Sequence, residues 1–438
     1  MINFYDIAYF LGLGLSCPFW LLRPSLRRKV FAAFSHRMGQ VAPRSSRQPA
    51  VLIHAVSLGE MNATRGLVDR LRQLRPDLHL ILSATTDTGF ARAQELYGKE
   101  PGAITIIHYP LDFSSAVGRV LDNLRPAAVV LMELEIWPNF LRQCANRNIA
   151  VILVNGRMTA PSFRRYWLIK PVVARMFQRM ASLCVQDQTN ADRFADLGAF
   201  GDRIRVTGTM KFDTATVTDR VPGDAELAAA VGLKPGQEPI WVCGSTGPGE
   251  EQIVLTQYRQ LLAEHPTLRL AIIPRHPQRF GEVAALIASQ GFDLLRRSAQ
   301  SKIEDRKSGI PPVILGDTMG ELRRFYSLAT VVFVGRTLVD LGPRQHGSDM
   351  IEPAALAKPV IVGPCTGNFA DAMSRFRAAS AMIEVTTSDE LRKAVARLLS
   401  DPIAASAISQ HAQQVVTNEK GATERHAQII LSHLTPIP

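Results

Sequence analysis

In the stretch Ile53-His-Ala-Val-Ser-Leu-Gly-Glu60, an apolar run gives way to a glycine turn and then to a helical pattern. The run is apolar from Ala50 to Val56 apart from His54. From Glu60 onward the apolar residues Met61, Ala63, Leu67, Val68, Leu71 and Leu74 recur at helical spacing. A continuous apolar strand followed by a tight turn and a helix is the first unit of an α/β domain with a parallel sheet. Ligands of such sheets sit beyond the carboxyl ends of the strands. Glu60 stands there, on the first turn of the helix. Two roles fit it: a reacting carboxylate, or an acid that complements the helix dipole.

The same alternation continues outward. Strands are expected over 78–83, 103–107, 127–132, 150–154, 182–185 and 204–207. Helices are expected from the Thr85-Thr-Asp-Thr-Gly89 cap to about Tyr97, over 114–124 and over 138–146. Residues 214–239 are largely polar and carry Pro222, Gly223, Pro235 and Gly236, the composition of a linker. A second alternation follows, with strands over 240–243, 268–273, 312–315, 331–334 and 360–362. The pattern predicts two doubly wound α/β domains. Final helices are expected over 388–399 and 403–434.

The chain has 438 residues, 46% hydrophobic and 20% charged, long enough for two domains. Its five cysteines (Cys17, Cys144, Cys184, Cys243, Cys365) form no CxxC pair, which fits reduced thiols and not a disulfide frame or a zinc site. The net charge of +11 calls for an anionic partner. No nucleic-acid signature accompanies it, so nucleic acid is not expected. A membrane fits better. Residues 7–22 are almost wholly apolar, and Arg23, Arg27, Arg28, Lys29 and Arg37 follow. The run is shorter than the ~20 residues of a comfortable span, and Phe19, Trp20 and the basic flank suit an interface. The charge follows the apolar run, unlike a secretory signal. We expect an uncleaved anchor that enters or crosses the membrane and keeps the body on the cytoplasmic side. A helix buried in the protein's own core is the alternative, and Gly12, Gly14 and Pro18 weaken a single straight helix.

Several loops after strands carry candidate chemistry, each with a plainer reading beside it. Gly244-Ser-Thr-Gly-Pro-Gly-Glu-Glu251 offers backbone N–H groups to a phosphate or carboxylate, or is a simple turn; it lacks the Gly-Lys-Ser/Thr of a P-loop. Pro274-Arg-His-Pro277 holds Arg275 for a phosphate, or leaves it solvated. Glu133-Leu-Glu-Ile-Trp-Pro-Asn139 carries two acids. In an extended segment Glu133 and Glu135 point the same way and could bind a cation, orient a base or bond a sugar. Equally, one could pair with a cation and the other precede the helix that starts at Pro138. Gly316-Asp-Thr-Met-Gly-Glu-Leu322 reads as a capped helix start, with Asp317 or Thr318 at the cap and Glu321 as the capping-box acid. Asp349-Met-Ile-Glu352 places acids at a helix start, for a ribose diol or for the dipole. There is no Asp-x-Asp motif and no His/Cys cluster along the chain, so no catalytic metal is expected. No Gly-x-Gly-x-x-Gly follows a strand, which argues against a nicotinamide cofactor.

Taken in order, these motifs resemble the 3-deoxy-D-manno-octulosonic acid (Kdo) transferases of lipopolysaccharide synthesis. The resemblance rests on His54-Ala-Val-Ser-Leu-Gly-Glu60, Tyr109-Pro-Leu-Asp112, Glu133-Leu-Glu-Ile-Trp-Pro-Asn139, Val154-Asn-Gly-Arg157 and Gly208-Thr-Met-Lys-Phe-Asp213. It continues with Pro274-Arg-His-Pro277, Gly316-Asp-Thr-Met-Gly-Glu-Leu322, Asp349-Met-Ile-Glu-Pro353 and Gly363-Pro-Cys-Thr-Gly-Asn-Phe369. It implies a GT-B fold, two Rossmann-like domains with a cleft between them and a short N-terminal membrane-anchoring helix. The implied organisation is an anchor with basic flank (1–40), an acceptor domain (41–213), a linker (214–239), a donor domain (240–410) and a C-terminal helix on the first domain (411–438).

The implied reaction is an inverting, metal-independent transfer of Kdo from CMP-Kdo to a hydroxyl of the lipid A precursor, at the cytoplasmic face of the inner membrane. By position, Glu60 corresponds to the general base, and Glu133 and Lys211 to the pair that stabilises the transition state. Pro274, Arg275, Asp317, Thr318, Met319, Asp349, Met350, Ile351 and Glu352 correspond to CMP contacts. Two departures stand out. The family's usual Gly-Gly-His-Asn reads His346-Gly347-Ser348-Asp349 here, which places an acid near the donor. Gly247 stands where the family carries a bulky ring. They keep open a GT-B transferase or epimerase acting on another nucleotide-sugar, such as a UDP-sugar. A non-catalytic scaffold is the third reading, opposed by Glu60, Glu133, Lys211 and Arg275.

Overall fold

A computed structural model describes residues 3–21, 33–99, 102, 104–299, 309–342 and 345–434. The chain divides into two compact units, residues 1–214 with 420–438, and residues 215–419. Each is built on a seven-stranded, all-parallel sheet.

The first sheet comprises β1 (Ala50–His54), β2 (His79–Ala84), β3 (Ile104–His108), β4 (Ala128–Met132), β5 (Ala150–Gly156), β6 (Ser182–Val185) and β7 (Ile204–Val206). Its order is β3-β2-β1-β4-β5-β6-β7. Strands β1, β2 and β4 are buried along their whole length, which is why they read as largely apolar runs, broken only by His54, His79 and Ser83. Successive residues feed opposite faces. Ala50 and Leu52 join one core with Val129 and Leu131, whereas Val51 and Ile53 join the other with Val130 and Met132.

The second sheet comprises β8 (Ile240–Thr246), β9 (Arg269–Pro274), β10 (Leu294–Arg296), β11 (Val313–Leu315), β12 (Val331–Val334), β13 (Val360–Val362) and β14 (Ile383–Glu384), ordered β10-β11-β9-β8-β12-β13-β14. The sequence pattern anticipated the central strands and missed the edge strands β10 and β14. These are three and two residues long, too short to show a period. The helices Ala160–Trp167, Lys170–Phe177 and Gln188–Asp196 are further elements of the first unit.

Two boundaries differ from expectation. Residues 214–239, expected as a linker, contain the helix Asp224–Ala230 and fall almost wholly in the second unit. Asp224 ties that helix down: it accepts from the Arg220 guanidinium (2.7 and 2.9 Å) and from the Ser327 hydroxyl (2.6 Å). The expected helix over 403–434 is two helices, Pro402–Glu419 in the second unit and Ala422–Ser432 in the first. Gly421, at φ +94, breaks them. Ala422, Ala427, Ile430 and Leu434 then complete one core of the first sheet.

At the N-terminus one helix spans Phe4–Leu21, through Gly12, Gly14 and Pro18. A buried polar network docks its first turns. Asp6 accepts from the Ser114 N–H (2.7 Å) and the Asn139 amide (3.1 Å), and Asp112 accepts from the Asn139 and Phe140 N–H groups (3.0 and 2.7 Å). Tyr9 hydrogen-bonds Asp112. Further along, Ile7, Phe10, Leu11 and Leu15 are exposed. Among the described residues no helix is long and apolar enough to cross a membrane. Leu22, Arg23, Arg27, Arg28 and Lys29 lie outside the described residues. Arg37 is largely buried; its guanidinium donates to the Thr85 carbonyl at 2.6 Å and pairs with Asp87.

Candidate active site

Strand order reverses between β1 and β4, which pair in parallel with Ile53 beside Val130. Crevices at such reversals are where doubly wound sheets bind ligands. Glu60 follows β1 and Glu133 follows β4, so the two acids flank this point.

Glu60 sits on the first turn of the helix Leu58–Leu74, whose N-cap is Ser57. Its carboxylate accepts from the Val56 N–H (2.9 Å) and the Ser57 hydroxyl (3.0 Å). It therefore serves the helix start, as the plainer reading required. It is also chemically poised. Burial, and then the charges of Glu133 and Glu135, push its pKa up to about 7 even though the Val56 and Ser57 bonds pull the other way. A carboxylate that exchanges a proton near neutrality is suited to general-base work.

Glu133 does not sit in an extended segment as expected. Its φ is +55, a left-handed conformation that costs a non-glycine residue about 1–2 kcal/mol. This turn, and not strand alternation, sets its direction. Glu135 accepts from the Trp137 indole N–H at 3.1 Å, and burial, helped by Glu133, pushes its carboxyl up. His54, at the end of β1, is excluded as the proton carrier. It is fully buried, bonded through Nδ1 to Ser83 and stacked on Tyr109 at 3.8 Å, and burial pushes it down to about 3.

Lys211 lies on a 3-10 turn, Met210–Thr214, that packs against the helix carrying Glu60. Asn155, itself left-handed at φ +53, accepts from the Met210 N–H at 3.3 Å. The C-terminal helix locks both. His426 Nδ1 donates to the Ala422 carbonyl, which leaves Nε2 to accept from the Asn155 N–H (3.0 Å) and the Thr207 hydroxyl (3.1 Å). Asp213 accepts from the Gly421 and Thr423 N–H groups (2.6 and 2.5 Å).

In the second unit the order reverses between β8 and β12. For the loop after β8 two readings stood, N–H groups offered to an anion or a simple turn. Its Gly247 N–H is taken by the Glu250 carboxylate at 2.9 Å. That buried side chain also accepts from Arg336 N (2.6 Å), Thr337 N (3.0 Å) and Leu338 N (3.0 Å), so it binds the loops after β8 and β12 together.

Arg275, next to Pro274 at the end of β9, is fixed through its N–H to the Thr246 carbonyl (3.0 Å). Arg336 lies beside it. Burial and Arg275 both push the Arg336 guanidinium down, and among the described residues its buried Nε has no hydrogen-bond partner. Two adjacent guanidiniums, one with an unmet donor, form an anion site. The sequence reading missed Arg336, although a basic residue directly after Gly335 at a strand's end was a visible signal. Arg336 also accounts for Gly247. A Cβ there would lie 2.9 Å from Arg336 Cγ and 2.6 Å from Leu341 Cδ1, so no ring fits.

The remaining candidates separate. Glu352, Asp349 and Arg275 all act on the buried Tyr326 phenol. Burial, and then Asp349, push Glu352 up to about 7. Met350 and Ile351 are core residues that can offer only backbone atoms. Ser348 is buried, its hydroxyl donating to the Ser245 carbonyl at 3.3 Å, while Asp349 is exposed and accepts from the Ile351 N–H. Asp317, after β11, is held by Arg296 (2.7 Å) and Ser298 (2.7 and 2.6 Å). These bonds outweigh burial and keep its carboxyl low. Thr318 borders it and Met319 is exposed. The expected capping box does not form. Gly320 turns the chain at φ +82, the helix starts only at Leu322, and Glu321 is spent on Arg297, Arg324 and the Thr318 hydroxyl.

Residues 32–214 match the family model described as 3-deoxy-D-manno-octulosonic-acid transferase (kdotransferase). The chain is 33% identical to the 3-deoxy-D-manno-octulosonic acid transferase of Haemophilus influenzae, over 88% of this chain and 87% of that one. It is 33% identical to the enzyme of the same name from Bordetella pertussis, over 94% and 95%. In fold it is similar to UDP-GlcNAc 2-epimerase from Neisseria meningitidis, with a TM-score of 0.57 at 13% identity, over 88% of this chain and 99% of that one. It is also similar to a glycosyltransferase from Rickettsia africae, with a TM-score of 0.55 at 14% identity, over 90% and 100%. Two such α/β units are the GT-B type of fold, and the chain belongs to the 3-deoxy-D-manno-octulosonic acid transferase family of glycosyltransferases.

Proposed function

We propose that this protein transfers Kdo from CMP-Kdo to a hydroxyl of the lipid A precursor, lipid IVA, with inversion and without a catalytic metal, at the cytoplasmic face of the inner membrane. The observation that carries the reading is Glu60, a carboxylate at the sheet's reversal point with its pKa near 7. Glu60 takes the proton of the acceptor hydroxyl. The hydroxyl oxygen attacks the anomeric carbon as the bond to the CMP phosphate breaks, and the phosphate leaves with the electron pair. Glu133 and Lys211 stabilise the transition state.

The donor's phosphate suits Arg275 and Arg336, whose fixed charges support a departing phosphate without a metal. We assign Glu352, and with it Asp349, to a ribose diol, and the backbone of 317–319 and 349–352 to the rest of CMP. A lipid acceptor is supported by the exposed apolar residues of the first helix. The exposed Trp167, Leu168 and Ile169 add to it, beside Arg164, Arg165 and Lys170.

The test is a transfer assay with CMP-Kdo and tetra-acylated lipid A precursor, comparing the parent with Glu60→Gln and reading the product's anomeric configuration. We expect inverted product from the parent and a loss of about 10²–10⁴-fold in the variant. The parent's kcat/KM should rise with pH to a plateau above about pH 7, because Glu60 of the free enzyme must be ionised to accept the proton. Retained configuration, or an unimpaired Glu60→Gln, overturns the mechanism. Turnover with a UDP-sugar and none with CMP-Kdo overturns the donor.

A further inference from the structure

Along the chain Asp340, His346 and Cys365 are scattered, and no ligand cluster could be read from their spacing. Folding brings them together. One donor atom of each lies within 4.8 Å of the others. Asp340 Oδ1 and His346 Nε2 are 2.7 Å apart, and the same oxygen accepts from the Gly342 N–H at 2.8 Å.

The scaffold beneath them is fixed. Cys365 N–H donates to the Thr337 carbonyl (2.8 Å), Gly347 N–H to the Arg336 carbonyl (2.7 Å) and Asn368 N–H to the His346 carbonyl (3.1 Å). The loop after β13 lies so close to the loop after β12 that a Cβ on Gly363 would meet the Thr337 oxygen at 2.2 Å.

We propose that Asp340, His346 and Cys365 form a zinc site that staples the loop after β12 to the loop after β13. The donor set is a carboxylate oxygen, an imidazole nitrogen and a thiolate sulfur. That mixture matches Zn²⁺ and disfavours Mg²⁺ and Ca²⁺, which take oxygen. Ligand bonds of 2.0–2.3 Å in a tetrahedron set donors about 3.3–3.6 Å apart. The three side chains reach that spacing by small rotations, with the Asp340–His346 pair opening to admit the ion. Asp340 faces solvent, which gives the metal an entry path and leaves the fourth position to water. On binding, the Cys365 thiol loses its proton to solvent and its sulfur bonds the ion. This site is separate from Glu60 and takes no part in the proposed proton transfer. It fixes the loops that carry Arg336 and Ser348.

The test is a Co²⁺ titration of the metal-free full-length protein, followed by absorption spectroscopy and displacement with Zn²⁺. We expect one equivalent of Co²⁺, a thiolate-to-cobalt charge-transfer band, and loss of that band when Zn²⁺ is added. The band should vanish in Cys365→Ala. Affinity should fall at least about tenfold in His346→Ala and in Asp340→Asn. The Asp340 side chain is 72% exposed, so its variant keeps the fold and remains a fair probe. No band in the parent, a band that survives Cys365→Ala, or undiminished affinity in both other variants overturns the proposal.

Discussion

At the scale of single residues, the site is held by side chains that satisfy backbone groups. Glu250 accepts four N–H groups from two loops, and Asn155 and His426 secure the turn before Lys211. The close approach of the loops after β8 and β12 leaves no space at Gly335, where a Cβ would lie 2.5 Å from Thr246 Cα and 2.7 Å from the Ser245 oxygen. Backbone cannot rotate away as a side chain can. Gly335→Ala should therefore cost about 1–3 kcal/mol in denaturant unfolding and weaken CMP binding; an unchanged midpoint and affinity would refute the packing argument. Glu60 was legible as a candidate from the strand–turn–helix pattern alone. Its raised pKa was not, because that depends first on burial in the folded site and then on Glu133 and Glu135, more than seventy residues away. Arg336 was overlooked for the same reason: its significance comes from Arg275, on another strand.

At the scale of elements, the strands of the first sheet and the central strands of the second were legible because burial writes apolar runs, and the short edge strands β10 and β14 were not. The capping box at Gly316–Leu322 failed for a local reason, since Gly320 and three competing partners of Glu321 outbid the cap. The docking of the first helix is sensitive to pH through Asp112, which its Tyr9 bonds. Burial pushes Asp112 up to about 7, against the pull of the Asn139, Phe140 and Tyr9 bonds. The unfolded carboxyl ionises near 3.8. The folded state thus holds the proton more tightly, and the stability this contributes is present below about pH 4 and is lost as pH rises towards 7. Asn keeps an acceptor for one of the two N–H groups, gives up the other at a cost that does not vary with pH, and does not titrate. Relative to the parent, Asp112→Asn should gain thermal stability as pH goes from 5 to 7.5, and protection of the Phe4–Leu21 amides in hydrogen exchange should follow. A difference in Tm that is flat with pH would contradict this.

At the scale of the whole molecule, the two-unit α/β plan was legible from alternation, and the place where the chain crosses back was not. The pattern over 403–434 looks like one helix, and only Gly421 marks the crossing. Asp213 receives the returning chain by accepting the Gly421 and Thr423 N–H groups. Asp213→Ala should cost about 1–2 kcal/mol, and should loosen the Lys211 turn enough to lower kcat more than donor affinity. Donor affinity and kcat falling in equal measure would argue against that linkage.

The return of Ala422–Ser432 to the first unit has a consequence for biosynthesis. During synthesis the first sheet emerges early, yet one of its cores stays open until residues 215–419 have been made. At roughly 5–20 residues per second that wait is about 10–40 s. Throughout it, Asp213 of the turn bearing Lys211 lacks the Gly421 and Thr423 N–H groups, and Asn155 lacks His426. A ribosome-bound nascent chain of this protein can therefore carry every other part of the proposed machinery and still be inactive, with an apolar groove exposed to chaperones.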